Sequence, residues 1–148
     1  MKLLVAVDNS EHSQAALAEV RRLAWPAGTS LTLLSVVRTD MYAFGEFYAP
    51  AAQELEILIR EEKKRADAML AGHATELSTS GFALSTRVEH GDPRLVICDV
   101  ARELGVDWVV VGSHGRRGFQ KLVLGSVASH VVTHAPCSVL VVKKPPPV

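Results

Sequence analysis

WVVVGSHGRRGFQKLVLGS, residues 108–126, runs from a continuous apolar segment into a connection with glycines at 112, 115, 118 and 125, the last followed by a serine. Glycine at that density, between a buried strand and an apolar-periodic segment, allows positive φ angles and turns bare backbone amides toward an anion. Phosphate is the expected anion.

Outward from this stretch, short β-rich runs alternate with helical patterns, the signature of βαβ units around a parallel sheet. Upstream, Asp92-Pro93 supplies an N-cap and an N1 proline for a helix carrying Leu95, Val96, Val100 and Leu104 and closed by Gly105. Before it, Ala83–Val88 alternates apolar and polar residues, which predicts an edge strand. A long helix opened by Pro50 carries Leu55, Leu58, Ile59, Glu62, Ala66, Met69, Leu70, His73 and Leu77 on one stripe, with Gly72 as a weak point. Leu31–Val37 is continuously apolar, as in a strand covered on both faces. The first strand is Leu3–Val7, followed by Ser10 as N-cap of a helix with Ala15, Leu17, Ala18, Val20, Leu23 and Ala24 inward. Downstream, Ser126–His134 reads as a helix and Ser138–Val142 as a fifth strand.

Right-handed crossovers and burial of the central strands favour a single doubly wound α/β domain over residues 1–148, a five-stranded parallel sheet of order 3-2-1-4-5 with helices on both faces. In such sheets ligands bind at the carboxyl ends of the strands where the order reverses, here between strands 1 and 4. Those ends carry Asp8 and Gly112.

Composition narrows the class. With 148 residues, 48% hydrophobic content and 16 basic against 16 acidic residues, the chain is long enough for its own core and has no excess charge to hold nucleic acid or a membrane surface. Cys98 and Cys137 form no C-x-x-C pair and sit among apolar residues, so buried free thiols and a reducing compartment are expected. Lys2–Val7 is too short an apolar stretch for a signal peptide and ends at Asp8, and no run reaches transmembrane length; a cytoplasmic location is expected.

The loop matches neither G-x-x-x-x-G-K-[ST] nor a G-x-G-x-x-G turn, and no glycine follows the first strand in Val7-Asp8-Asn9-Ser10. What remains is G-x2-G-x9-G-[ST], filled by Gly112, Gly115, Gly125 and Ser126. On this motif the chain resembles the universal stress proteins, and specifically the subgroup associated with ATP. The resemblance extends through Val5–Ser10, Glu89–Pro93, Trp108–Gly115 and Ala135–Val142.

The resemblance implies a nucleotide whose ribose is approached by Asp8, with Ala6 and Val7 beside it and the backbone of Val36 at adenine. It further implies that Val111 and Gly112 close over the ligand and that phosphates lie across Gly115, Gly125, Ser126 and Val127. Arg116, with Arg117, puts cations in a loop where other members vary; the pair either reaches the phosphates or faces solvent. The implied ligand is ATP, with ADP or AMP as alternatives and Mg²⁺ as a companion. A helix N-terminus at Ser126 agrees physically, since free amides and the macrodipole favour negative charge there. Each amide to a charged oxygen contributes about 1.5–3 kcal/mol, so three or four supply much of the roughly 8 kcal/mol of a micromolar complex before ordering costs.

Asp8 has two ligand roles open to it, accepting from ribose hydroxyls or helping to hold Mg²⁺, beside a structural one as partner of the first helix. His130 and His134 share a helix face but have no evident third ligand, so no metal site is assigned. His114 lies inside the glycine loop and either approaches a phosphate or, as a lone loop histidine usually does, faces solvent, and Ser113, Ser126 and Ser129 have no His-Asp set for nucleophilic catalysis. Residues 41–48 hold half of the eight aromatics and either fold over the nucleotide, bind a partner or pack on the long helix. The fifth strand has no charge before Lys143 and would expose an apolar edge; a homodimer through it is both the physical and the family expectation. The favoured function is a nucleotide-dependent regulator read by an unknown protein partner. A slow Mg-dependent ATP hydrolase or phosphotransferase is the alternative, and a nucleotide-free chaperone-like module a third.

Overall fold

The structure is a computed structural model that describes residues 1–39, 52–115 and 124–144. The elements are β1 (Lys2–Ala6), α1 (Glu11–Arg22), β2 (Ser30–Val37), α2 (Ala52–Leu77) with a 3-10 turn at Ser78–Ser80, β3 (Ala83–His90), α3 (Pro93–Leu104), β4 (Trp108–Gly112), α4 (Ser126–His134) and β5 (Ser138–Val142). All strands pair in parallel, in the order β3-β2-β1-β4-β5. The expected fold and strand order are therefore observed, with β3 at an edge as its alternating sequence predicts.

The period of two along a strand sends neighbours to opposite faces, and the two cores follow from it. Leu3, Val5 and Val7 join Ala16, Leu17 and Val20 of α1 and Leu70 and Leu77 of α2. Leu4 joins Ile97, Cys98, Val100 and Ala101 of α3 and Ala128 and Val131 of α4 on the other face. The register Leu4↔Val109 and Val5↔Val110 carries the same division into β4, where Val109 lies in the second core and Val110 in the first. Each fully buried Leu or Val contributes about 1.5–3 kcal/mol of transfer free energy, so the central strands anchor both layers.

Local chemistry sets the helix ends. Ser10 Oγ accepts from Ser13 N at 3.1 Å and caps α1, and Asp92 Oδ1 accepts from Arg94 N at 2.9 Å and caps α3, with Pro93 next in line. α3 closes on Gly105 at φ 57°, a left-handed position that glycine takes without penalty.

Several apolar positions do not go where periodicity sends them. α1 ends at Arg22, and Ala18 and Ala24 are exposed; its fourth inward position is Ser13, whose hydroxyl is buried against the chain before it. Leu58 in α2 is 42% exposed and Leu95 in α3 is 54% exposed. In α2 only Ala66, Leu70 and Leu77 are buried, so its second half carries the packing, and Gly72 leaves the helix unbroken. Both cysteines are free, Cys98 buried and Cys137 half-buried, and burial pushes both thiols above their ordinary range. Pro50, the aromatic segment 41–48 and residues 145–148 lie outside the described residues.

Candidate nucleotide site

The carboxyl ends of β1 and β4 meet at the switch point, and the loops leaving them are in contact. Asp8 follows β1 and is half-buried. Its Oδ1 accepts from Ser10 N at 2.9 Å and from Ser10 Oγ at 2.5 Å, and its own N–H donates to Ser13 Oγ at 3.0 Å. One carboxylate oxygen thus braces the cap of α1. The other faces across the gap, where a Cβ on Gly115 would stand 3.2 Å from Oδ2.

Close approach explains the three described glycines of the loop. A Cβ on Gly112 would lie 2.7 Å from the carbonyl carbon of His12 and 2.8 Å from its oxygen, so the first turn of α1 rests on bare backbone. A Cβ on Gly125 would lie 3.2 Å from both the Ser113 carbonyl oxygen and His114 Cα. The expectation of positive φ is corrected here: the positive-φ glycines among the described residues are Gly28, Gly81, Gly91 and Gly105, and Gly125 sits at φ −69°. These loop glycines serve proximity rather than turning.

The loop is tied to the sheet at both ends. Ser113 N donates to Val142 O at 2.8 Å, and Gly125 N donates to Ser113 O at 2.7 Å, which brings the start of α4 back to the end of β4. Gly125 is the N-cap of α4 and, having no side chain, makes no side-chain cap bond to the first-turn amides. Ser126 is exposed at N1, with Val127 half-buried behind it. That leaves the donors of a helix N-terminus beside Gly115 and Asp8's neighbourhood, an arrangement suited to an anion.

The remaining sequence-derived positions divide by side-chain burial. Val7 and Val111, 3% and 2% exposed, are core residues whose backbone alone is available to a ligand. Ala6 and Val36 are half-buried against the second core. Val36 lies two residues beyond Leu34, the register partner of Ala6, just as Asp8 lies two beyond Ala6, so both stand at the same end of the sheet. Arg116, Arg117 and Gly118 lie outside the described residues.

His12 escaped the sequence reading. It is half-buried in the first turn of α1, and its ring lies 5.1 Å from that of His114, with Ser113 Oγ 3.3 Å from His12 Nδ1 and 3.1 Å from His114 Nδ1. His114 is therefore not a solitary solvated loop residue. The signal was available in principle: the switch point packs the first turn of α1 against the end of β4, and His12 is four residues beyond Asp8. At the rim, Lys144 bonds to Glu11 and holds that carboxyl below its ordinary range. On α4 the His130 and His134 rings stack at 4.0 Å, with His134 Nδ1 donating to His130 O at 2.9 Å; among the described residues no group of three metal-ligating side chains is present.

Comparison with known proteins agrees with the fold. The family model of the universal stress proteins matches residues 1–143. The chain belongs to the universal stress protein family. Among relatives of known sequence, the universal stress protein Sll1388 of Synechocystis is 31% identical over 149 residues, covering 96% of this chain and 97% of the relative. Among solved family structures, MJ0577 superposes with a TM-score of 0.87 at 27% identity over 99% of this chain and 97% of its own. UspA of Lactobacillus plantarum superposes at 0.82 with 30% identity over 96% and 97%. Two more distant universal stress proteins share the fold at 20% and 22% identity, with TM-scores of 0.70 and 0.64: an Arabidopsis thaliana member with AMP bound and another in complex with cAMP. The first covers 98% of this chain and 92% of its own, the second 96% and 95%.

Proposed function

We propose that this universal stress protein is an adenine-nucleotide-binding regulator, with ATP as the ligand that the resemblance to the G-x2-G-x9-G-[ST] subgroup implies and ADP or AMP as alternatives. One observation carries the reading: Gly115 lies against the outward oxygen of Asp8 while Gly125 presents the uncapped N-terminus of α4 beside it. A Cβ at Gly115 would intrude on that gap. The family members with AMP and cAMP support an adenine ligand.

The site residues have divided work. Asp8, with Oδ1 committed to Ser10, has Oδ2 for ribose hydroxyls; Ala6, Val7, Val36, Val111 and Gly112 line the nucleoside side mainly through backbone; Gly115, Gly125, Ser126 and Val127 form the phosphate cradle, and Arg116 follows Gly115 in sequence. A bound Mg²⁺ would supply charge neutralisation for the phosphates. Ser113 is 1% exposed and its hydroxyl is occupied by histidines rather than offered to a substrate, which favours holding a nucleotide over consuming it. The nucleotide stabilises the conformation that binds it, and a partner protein reads that conformation. A cytoplasmic location completes the reading; no described helix is long and apolar enough to cross a membrane.

Calorimetric titration of the full chain with ATP, ADP and AMP tests it. Native protein should bind at least one at micromolar Kd, and Gly115→Val should lose at least tenfold in affinity with its far-UV circular dichroism preserved. Equal affinity in the variant removes the phosphate-cradle assignment, and incubation with Mg-ATP followed by assay for ADP separates a regulator from a slow hydrolase.

A further inference from the structure

Ser113 Oγ is shared by two imidazoles, 3.3 Å from His12 Nδ1 and 3.1 Å from His114 Nδ1, in a residue only 1% exposed. A hydroxyl carries one proton, so it donates to one Nδ1 and accepts from the other. In the neutral cluster one ring is therefore protonated at Nδ1 with a bare Nε2, and the other carries its proton at Nε2. A proton added to the bare Nε2 leaves both bonds to Ser113 in place. The three side chains can thus hold one extra positive charge with both bonds to Ser113 intact, and imidazole is the side chain that gains and loses a proton near neutral pH.

The place of this cluster gives the charge a purpose. His12 lies in the first turn of α1, its backbone against Gly112. His114 lies against the N-cap of α4: its Cα and its Cδ2, the ring carbon bonded to Nε2, are 3.2 and 3.8 Å from where a Cβ on Gly125 would stand. The charged groups that described neighbours bring around the pair are Asp8 from the β1–α1 connection, Glu11 from α1 and Lys144 after β5, the last two bonded to each other. Arg116 and Arg117 follow in sequence, outside the described residues. Two helix N-termini oppose an added cation here, and an anion seated at α4 reverses that balance.

We propose that His12 and His114, coupled through Ser113, belong to the phosphate subsite and take up one proton when a nucleoside di- or triphosphate binds. The proposal rests on the adenine-nucleotide reading of the glycine loop and adds two residues that its motif does not contain. Adenosine, without phosphate, draws no proton. By linkage, full uptake of one proton tightens polyphosphate binding as pH falls, by about tenfold per pH unit at most.

The test is calorimetry of ADP and adenosine binding to the full chain at pH 7 in buffers of different ionisation enthalpy, which reads protons taken up per ligand. Native protein should take up roughly half a proton or more per ADP and none with adenosine. Uptake should fall in His12→Asn and vanish in the double variant His12→Asn with His114→Asn, ADP's own titration being common to all. Should the variants fail to fold, the imidazole Cε1–H resonances of His12 and His114 in the native chain give the answer, since ADP at constant pH should move at least one of the two toward the protonated position. Uptake unchanged in folded variants, or histidine resonances indifferent to ADP, overturns the proposal and leaves the nucleotide site standing. Failure of the native chain to bind ADP at any pH overturns both.

Discussion

Gly112 and Gly115 occupy the same motif but fail differently when a side chain is added. At Gly112 the obstacle is the backbone of His12 at 2.7 Å, which can yield only if α1 moves off β4. Gly112→Ala should lower the free energy of unfolding by about 1–3 kcal/mol in urea titration, the cost of forcing atoms into a packed contact. At Gly115 the obstacle is the end of a carboxylate at 3.2 Å, which a small rotation relieves. Gly115→Ala should therefore change stability by less than about 0.5 kcal/mol, like a surface substitution, while weakening adenine-nucleotide binding severalfold in the same preparation. A variant pair in which Gly112→Ala is the milder for stability would contradict the packing described. At this scale the glycine positions were legible in the sequence, but their reason was not. Spacing shows that bare backbone is needed, whereas whether φ or proximity demands it depends on which chain passes overhead. His12 was legible only through the topology, because its partner Ser113 is about a hundred residues away and meets it where the switch point packs α1 against β4.

At the scale of elements, caps were the most readable feature because they are local. Asp92 accepts from the Arg94 amide at 2.9 Å and from its guanidinium, whose hydrogen bond chiefly holds the Asp92 carboxyl below its ordinary range. A folded-state value below the unfolded one means that the carboxylate's contribution is complete above the unfolded value, near pH 4, and is lost as pH falls through the folded value. Asp92→Ala should cost about 1 kcal/mol at pH 7. Urea titrations from pH 7 down to pH 2.5 should show the difference between native and variant shrinking below pH 4; a gap that stays constant or widens in acid would refute the cap's ionic part. The helical faces were less readable than the caps. Apolar spacing in α2 continues through Leu58 and Met69 alike, yet Leu58 is exposed and Met69 packs on the first core, since only the second half of the helix lies over the sheet's buried residues. Periodicity reports that a face exists and is silent on how far its partner extends. Strands fared better: their apolar runs match the observed ones to within a residue or two at the ends, because a buried parallel strand needs apolar side chains on both faces at once.

At the scale of the whole molecule, the sheet has two edges of unlike character. β3 is guarded: Arg87 pairs with Glu89 at 2.6 Å and with Glu103 of α3 at 2.9 Å, placing charge along the outer strand. β5 is not guarded in this way. Among the described residues Ser138–Val142 pairs only with β4, its four apolar residues are half-buried, and charge begins at Lys143. An unprotected apolar edge of this kind favours pairing with a second copy about a two-fold axis, which would cover it without creating a new open edge. In such a dimer the proposed nucleotide sites would stand at the ends of β4 on either side of the shared edge, and the bond from Ser113 N to Val142 O, 2.8 Å, would link each loop to the end of β5. The expected result is that native chain sediments as a dimer and that its Tm rises with protein concentration, as mass action requires of a dimer that unfolds to monomers. Val141→Lys should shift the sedimentation coefficient to that of a monomer and abolish the concentration dependence, with circular dichroism confirming that the sheet persists. A folded Val141→Lys variant that remains dimeric would place the interface elsewhere and detach it from the Ser113–Val142 bond.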